Sequence, residues 1–542
     1  MTKFAIIFAN PRVRDTDVLT VKFDERAIFN SANFLHIGPL VYVPIPKALM
    51  PFLQGKSTLS IEDVSKDKEV AYAEVIFGKK SDTSVINGER VLIEDADGRP
   101  LAVNKWGRLG HATALDDKVR PTLISKTKEI LDELTKIGYK VAISSATLLA
   151  AVRNKGKMLD SDDDSDLLVF SDSELPQDAY LLMLKLKRDL EKRGHTVIRF
   201  SGAHIQALFF AENGSIDFYI DFFVGFFKDG YYNQPFALRK KMPKESIYPF
   251  KQIYWEGDFV PAPAVPEDWL AACYGEDWRT PNPAFRFNNP VLTTYLFNQW
   301  FGNSMNDVRD FWEAEATSSV EFLKHVFDSE THTHLVKKYI KSGVPILDIG
   351  FGNGEFSADL VEQNHPVLAI DYSAVAVQKA KIKFADKKLK RELVFKYINL
   401  HDDNALIELL TDIEADEREW SVNISHGLHL FMGSARRQIY YSLSKILKPK
   451  NITQKPAKST QSQINTGLPL AVISFDTETD VNMLDIDDPN TWWLGKNTFF
   501  DEIDDYPLEV IAERKGEKVL SNGRTRDFIT VVVKYAEKGK ER

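Results

Sequence analysis

Apolar and polar positions alternate in short runs over the first hundred residues. Ala5 to Ala9, Val18 to Phe23, Leu40 to Ile45, Val70 to Phe77 and Arg90 to Glu94 read as strands. Asp97-Gly98-Arg99-Pro100 reads as a turn between such runs. A β-rich accessory domain, a small sandwich or open barrel, is predicted for residues 1–112. The period then changes. From Pro121 through Ile124, Ile130, Leu131 and Leu134 the apolar residues recur at helical spacing, and Ile137-Gly138 supplies a stop. A second amphipathic helix is expected over Leu181 to Gly194, with leucines on one face and basic residues on the other. Strand-like runs at Leu167 to Phe170, around Val197, at Gln206 to Phe210 and at Ile216 to Val224 predict a mixed sheet over residues 113–290, closed by the Pro- and Trp-rich stretch 261–290.

Helical spacing returns from Val291 to Lys338, where Trp300, Phe301, Phe311, Trp312, Phe322 and Phe327 are placed to pack on a neighbour; residues 291–334 read as a helical connector. Residues 335–542 carry a different signature. Val344-Pro-Ile-Leu is an apolar strand entering a glycine-rich turn, followed by a helix from Ser357 and a strand Val367 to Asp371. Further strands are expected at Leu470 to Phe475, Leu508 to Arg514 and Phe528 to Tyr535, and the polar stretch 450–467 reads as an insertion. The whole is a multidomain α/β chain: a β-rich N-terminal domain, a mixed-sheet α/β domain and a C-terminal Rossmann-like domain.

Composition narrows the classes. The 542 residues are 44% hydrophobic and 27% charged, which suits folded domains with real cores. A net charge of −9 gives no support for a nucleic-acid-coating protein. One cysteine, Cys273, excludes an intrachain disulfide framework and points to a reducing, cytoplasmic location. No apolar run approaches the ~18 residues of a membrane span, and the first ten residues turn polar too soon for a signal peptide.

Candidate chemistry starts at Asp160-Ser-Asp-Asp-Asp-Ser-Asp166, which runs into Leu167-Leu-Val-Phe170. Every second side chain of a strand shares a face, so Asp164 and Asp166 project together. Mg²⁺ takes one or two carboxylates plus substrate phosphates. A third carboxylate is expected from Ser215-Ile-Asp-Phe-Tyr-Ile-Asp-Phe-Phe-Val224, where Asp221 interrupts an apolar strand, a costly placement for a charge that has no partner. The bland alternative is a solvated acidic loop. Asp164, Asp166 and Asp221 are therefore the candidate ligands for Mg²⁺ or Mn²⁺ and the candidate catalytic carboxylates of a phosphoryl-transfer site.

The second candidate is Asp348-Ile-Gly350-Phe-Gly352-Asn-Gly354. Glycines let a cofactor approach the backbone, and an acid ending the next strand, Asp371, can accept from both ribose hydroxyls. The G-x-G-x-G spacing differs from the G-x-G-x-x-G of dinucleotide binders. His426 and His429 follow the expected fourth strand on the acceptor side, as bases or as structural histidines.

Two resemblances follow from these motifs. The segment Ala146 to Asp166, with Thr147, Leu148, Leu149, Ala151, Val152 and Arg153 and then Asp162-Asp163-Asp164-Ser165-Asp166, resembles the LicD/fukutin family of phosphotransferases, of nucleotidyltransferase fold. Asp221-Phe-Phe resembles that family's next acidic strand, and Val260-Pro-Ala-Pro with Trp269 to Pro281 its closing segment. Ala146 and Ala150 stand where the family prefers glycine. The resemblance implies transfer of a phospho-substituent from a CDP-activated donor to a hydroxyl of a glycan or glycan-lipid acceptor, with Arg153 on a phosphate and Ser145 and Thr147 along the nucleotide. A lipid-linked acceptor would bring the protein to the inner face of the membrane. Residues 335–542 resemble class I S-adenosylmethionine-dependent methyltransferases: Asp348, Gly350, Gly352 and Gly354 match the first motif, Asp371 the ribose-binding acid, Tyr372 the position beside the adenine, and Asn399-Leu-His-Asp402 the adenine-edge motif, with Asp402 as a contact. Ile446-Leu-Lys-Pro449 matches the turn before the fifth strand.

Together these imply a bifunctional enzyme that modifies a glycan and methylates the product or the adjoining sugar. Three alternatives share parts of the pattern: a methyltransferase fused to a decayed, glycan-binding phosphotransferase-like domain, a phosphocholine-type decoration with methylation at nitrogen, and a nucleotidyltransferase acting on nucleic acid or an antibiotic.

Overall fold

Leu19–Phe23 lies inside a four-stranded antiparallel sheet, flanked by Arg26–Ser31 on one side and by Gly55–Asp63 and then Lys68–Phe77 on the other. A three-stranded sheet of Ala5–Ala9, Leu40–Pro44 and Leu35–Ile37 accompanies it. Val21, Ile28, Val41, Val43 and Ile61 form the core of this strand-rich region. The computed structural model of the chain describes residues 5–14, 17–31, 34–63, 68–78, 89–94, 98, 100–103, 109–111, 119–159, 162, 164–235, 238–281, 290–302, 312–313, 330–450, 468–477, 494–519 and 525–537. The expected residues Asp97, Arg99, Asp160, Asp163, Phe311, Phe322 and Phe327, and all but the first of 450–467, lie outside them.

Arg90–Glu94 is a correction to the strand reading. It makes only isolated bridges, Lys56 with Arg90 and Glu94 with Pro100. Val91 and Ile93 are buried, so the alternation is that of a core-facing segment whose backbone pairs with two different partners instead of one ladder.

The same compact unit, residues 1–209 with 217–303, contains the mixed sheet. Its order is Val141–Ile143, Asp164–Phe170, Ile216–Lys228, His204–Phe210 and Thr196–Ser201, and Tyr231–Gln234 and Leu238–Lys241 extend it. Asp164–Phe170 and Ile216–Lys228 are parallel, with Asp166 directly opposite Asp221. The helices Arg120–Lys136 and Pro176–Lys192 each begin with proline in the first turn, where its missing N–H costs nothing. They bury Leu123, Ile130, Leu131 and Leu134, and Met183, Leu186 and Leu190, in the core beside the sheet. Helix Val291–Phe301 adds Phe297 and Phe301 to that core.

The second unit, residues 210–216 with 304–542, is built on a seven-stranded sheet in the order Leu393–Tyr397, Val367–Asp371, Ile346–Ile349, Ser421–Ile424, Leu470–Asp476, Thr525–Tyr535 and Leu508–Val519. The first five strands are parallel and the last two join antiparallel. Strand order runs outward in both directions from Ile346–Ile349, which opens a crevice at the carboxyl ends of the central strands. The architecture is thus mixed α/β with a strand-rich N-terminal region, as the pattern predicts. No helix among the described residues is long and apolar enough to cross a membrane.

Candidate active sites

In the mixed sheet the strand Val141–Ile143 turns into the short helix Ser145–Arg153. This turn fixes the acidic strand. The N–H of Ala146, in the first turn of the helix, donates to Asp166 Oδ2 at 2.9 Å, the Asp166 N–H donates to Thr147 Oγ1 at 2.9 Å, and the Ser144 N–H donates to the Asp166 carbonyl at 2.9 Å. A carboxylate suits that place because the amino end of a helix carries partial positive charge. Ser145 itself sits at φ 46° in the left-handed region, a conformation that costs a non-glycine residue on the order of 1 kcal/mol, and its hydroxyl lies 3.4 Å from that of Ser144.

Asp164, Asp166 and Asp221 come together. One oxygen from each lies within 4.8 Å of the others. Asp221 is in turn held by two side chains the sequence reading does not single out: His204 Nε2 and Gln206 Nε2 each lie 3.0 Å from its Oδ1. His204 is stacked between Phe200 and Phe223, at 4.6 and 4.5 Å. The signal was a polar residue at alternate positions of an apolar strand, His204 and Gln206, which places both on one face. Tyr274 also faces the cluster. Burial first, then the charges of Cys273, Asp166, Asp162 and Asp164, push its phenol well above the usual range, so it stays a neutral O–H.

Two of the expected substrate contacts also have partners within the fold. Thr147 is buried and its hydroxyl serves the acidic strand, and Arg153 donates to the backbone carbonyl of Trp278 at 3.0 Å, tying the helix to the closing segment. The donor set as a whole, three carboxylates in hard-oxygen geometry, fits a divalent ion such as Mg²⁺ or Mn²⁺.

In the second unit the glycine turn crosses the carboxyl end of Ile346–Ile349. Gly350, Gly352 and Gly354 all have positive φ, at 74°, 61° and 76°. A Cβ on Gly350 would meet nothing within 4 Å, whereas one on Gly354 would stand 3.0 Å from the Phe395 ring and 3.1 Å from Phe384. Gly350 leaves its space to a ligand; Gly354 serves packing. Asp348 is buried beneath the turn, accepting from Ser357 Oγ at 2.5 Å and Asn423 Nδ2 at 2.7 Å, while Asn423 Oδ1 lies 2.6 Å from His332 Nε2. Burial raises the Asp348 carboxyl against the lowering effect of those two bonds. Asp371 accepts from the N–H groups of Gly352 at 3.0 Å and Ser373 at 2.9 Å, and burial pushes its carboxyl up to about 6.

Around this turn lies a cavity of about 110 Å³, partly open to solvent, walled by Gly350, Gly352, Asp371, Tyr372, His401 and His426 among others. Asp348, Gly354 and Asp402 do not line it. Asp402 is the N-cap of helix Asp403–Ala415, accepting from the Asn404 N–H at 3.0 Å, and its neighbours Leu400 and His401 reach the cavity instead. Trp312 also lines it, beside Glu313, whose carboxylate accepts from Ser373 Oγ at 2.6 Å and from the N–H groups of Ala374 and Val375 at 2.8 and 3.0 Å. No motif announced Glu313. The open glycine turn, the acid at the end of the second strand and the apolar cavity fit S-adenosylmethionine.

Two separate stretches of the chain match models of transferase domains. Residues 138–265 match the LicD/FKTN/FKRP nucleotidyltransferase domain, and residues 340–412 match a methyltransferase domain. A tabtoxin biosynthesis enzyme of Pseudomonas amygdali pv. tabaci is 32% identical over 89 residues, which is 16% of this chain and 35% of that enzyme, so the chain spans about a third of the length of this curated relative. Similar solved structures include an S-adenosylmethionine-dependent methyltransferase from Anabaena variabilis, at 12% identity and TM-score 0.30, covering 42% of this chain and 95% of that one. Another is the magnesium protoporphyrin IX methyltransferase of Synechocystis, at 13% identity and TM-score 0.27, covering 42% and 98%.

Proposed function

We propose that this chain is a bifunctional glycan-modifying enzyme, transferring a phospho-substituent from a CDP-activated donor to a glycan hydroxyl and methylating the product or an adjoining sugar. The observation that carries the first activity is the convergence of Asp164, Asp166 and Asp221 from two adjacent parallel strands. A bound Mg²⁺ or Mn²⁺ would supply charge neutralisation at the diphosphate. Asp164 and Asp166 would hold that ion, and Asp221 would serve as third ligand or orient the acceptor hydroxyl. His204 and Gln206 fix the Asp221 carboxylate, and the Ala146 N–H fixes that of Asp166. Such fixed geometry is what phosphoryl transfer asks of a protein, since its catalysis is almost entirely positioning and electrostatics.

For methylation, Gly350 and Gly352 would admit the cofactor, Asp371 would accept from its ribose, and Tyr372 and His401, whose rings stand 5.9 Å apart, would line the adenine site. The residues act as a template that aligns donor methyl and acceptor, the main requirement for transfer from a sulfonium. The enzyme works in the cytoplasm, at the inner face of the membrane where its acceptor is lipid-linked. It has no nucleic-acid partner.

The test is CMP release from a panel of CDP-activated donors with Mg²⁺ or Mn²⁺, comparing the wild type with an Asp164→Ala/Asp166→Ala variant. Metal-dependent release that the variant loses is the expected result. Absence of release with every donor, with glycan and S-adenosylmethionine supplied, overturns the phosphotransferase reading in favour of a binding module.

A further inference from the structure

The turn that grips Asp166 is itself held by a buried side chain from a distant part of the chain. Ser144 lies between strand Val141–Ile143 and helix Ser145–Arg153 and is wholly buried. Its N–H donates to the Asp166 carbonyl at 2.9 Å, and its carbonyl accepts from the Leu148 N–H at 2.8 Å, which opens the helix. Its side chain is pinned as well. Gln234 Nε2, 90 residues further along, donates to Ser144 Oγ at 3.0 Å. Gln234 ends strand Tyr231–Gln234 and is 0% exposed.

Chemistry fixes the direction of these bonds. Trp269 Nε1 donates to Gln234 Oε1 at 3.1 Å, and the Tyr232 hydroxyl donates to the same oxygen at 2.6 Å. An indole N–H is a donor only, so the amide oxygen faces Trp269 and the amide nitrogen faces Ser144. Burial pushes the Tyr232 phenol far above its ordinary range, which keeps it a neutral O–H. Tyr232 and Trp269 are buried too. Gly225, on the strand that carries Asp221, leaves room for the Tyr232 hydroxyl: a Cβ there would stand 2.3 Å from it. Glycine inside a strand marks such a close approach. The network thus ties the turn to helix Pro266–Tyr274 through the core of this unit.

What the network holds is strained. Ser145 sits at φ 46° between Ser144, bonded to the Asp166 carbonyl, and Ala146, bonded to the Asp166 carboxylate. Such strain persists only where the surroundings over-determine it, and it gathers at working sites. Release of the Ser144 side chain would let Ser145 leave the left-handed region, and that rotation would carry the Ala146 N–H off Asp166 Oδ2. Building on the ion-site reading above, we propose that Gln234 is a positioning residue of the phosphotransfer site. Through Ser144 it locks the turn that aims the Asp166 carboxylate, and through Trp269 it makes the closing helix part of that lock. Neither Gln234 nor Trp269 is a ligand of the ion; both act on it through Asp166.

Titration of the full chain with Mn²⁺, followed by electron paramagnetic resonance, tests this. A wild type that binds no Mn²⁺ overturns the ion-site reading and this proposal with it. Where the wild type binds, Ser144→Ala, which deletes only the hydroxyl, should weaken the ion about 10–100-fold, the usual range for groups that orient a ligand. Gln234→Met removes the same bond from its donor side and should give a similar loss. The double variant should be no worse than about twofold below the weaker single one, because the two side chains act as a unit. Thr127→Val controls for general loosening: Thr127 Oγ1 donates to the Leu123 carbonyl at 2.8 Å beside the same core, and its loss should leave Mn²⁺ affinity unchanged. Adding Ser145→Gly to Ser144→Ala should restore most of the lost affinity, since glycine takes positive φ without strain. Affinity in Ser144→Ala and Gln234→Met within about twofold of the wild type overturns the lock and leaves the ion site standing. An equal loss in Thr127→Val, or no restoration by Ser145→Gly, overturns it too.

Discussion

The Thr147 hydroxyl accepts a 2.9 Å hydrogen bond from the buried backbone N–H of Asp166. One side chain of the helix thereby sets the height of the acidic strand against the helix that caps its carboxylate. Thr147→Val keeps the shape and removes the acceptor, leaving a buried N–H without a partner, at a cost of about 1–3 kcal/mol. Denaturant unfolding should show that loss, and Thr147→Ser should restore most of it.

His204 and Gln206 both contact Asp221 Oδ1. Partners that orient a ligand typically matter about 10–100-fold in metal affinity or activity. Titration of Mn²⁺ followed by electron paramagnetic resonance should show His204→Ala and Gln206→Ala each weakening the ion by an amount in that range, with the double variant no worse than additive.

Burial holds the Asp371 carboxyl up near 6. The anion is the form that accepts from ribose hydroxyls, so S-adenosylhomocysteine affinity should drop about tenfold per pH unit below about 6 and level off above it. Asp371→Asn should be weak and flat in pH. In the ligand-free protein the sign is opposite for stability: a raised carboxyl contributes most below its ordinary value and loses that contribution as pH rises through about 6.

Glu313 accepts from Ala374, Val375 and Ser373 beside the cavity residue Trp312. Glu313→Ala strands two buried N–H groups, at about 1–3 kcal/mol each, a loss of roughly 2–6 kcal/mol. Thermal unfolding of the full chain should show it as a lowered transition, and calorimetry should show several-fold weaker S-adenosylhomocysteine binding because Trp312 loses its anchor.

Burial holds the His332 imidazole down at about 4, against roughly 6.5 in an unfolded chain. The unfolded state therefore takes up the proton first. Stability from this group is complete above about pH 6.5 and is lost as pH falls towards 4, by up to about 3 kcal/mol. His332→Gln should flatten that part of the stability–pH curve measured by urea unfolding.

What was legible in the chain follows the short periods. Asp164 and Asp166 could be placed on one face because strands repeat every two residues, and Asp221 stood out as a charge inside an apolar run. The partners of Asp221 were harder. His204 and Gln206 alternate visibly, but which neighbour they face depends on how strands pair, and pairing is not local. The same holds for His426 and Asp476, which meet because Ser421–Ile424 and Leu470–Asp476 are adjacent in the sheet. Asp402 was ambiguous for another reason: an Asp-Asp-Asn run at the start of a helix reads equally well as a cap, and the fold does use it as one. Arg90–Glu94 had strand composition without a ladder, because composition reports burial as readily as pairing.

The parallel pairing of Asp164–Phe170 with Ile216–Lys228 also sets an order in time. Between these strands the chain must make the helix Pro176–Lys192 and two further strands, so the carboxylate trio belongs to the slow, non-local part of folding. A nascent chain that has emerged only as far as Phe209 holds Asp164 and Asp166 without Asp221. The ribosome therefore delivers the helix cap before the third carboxylate, and convergence of the trio reports the pairing of these two strands, before Tyr231–Gln234 and Leu238–Lys241 are added to the sheet.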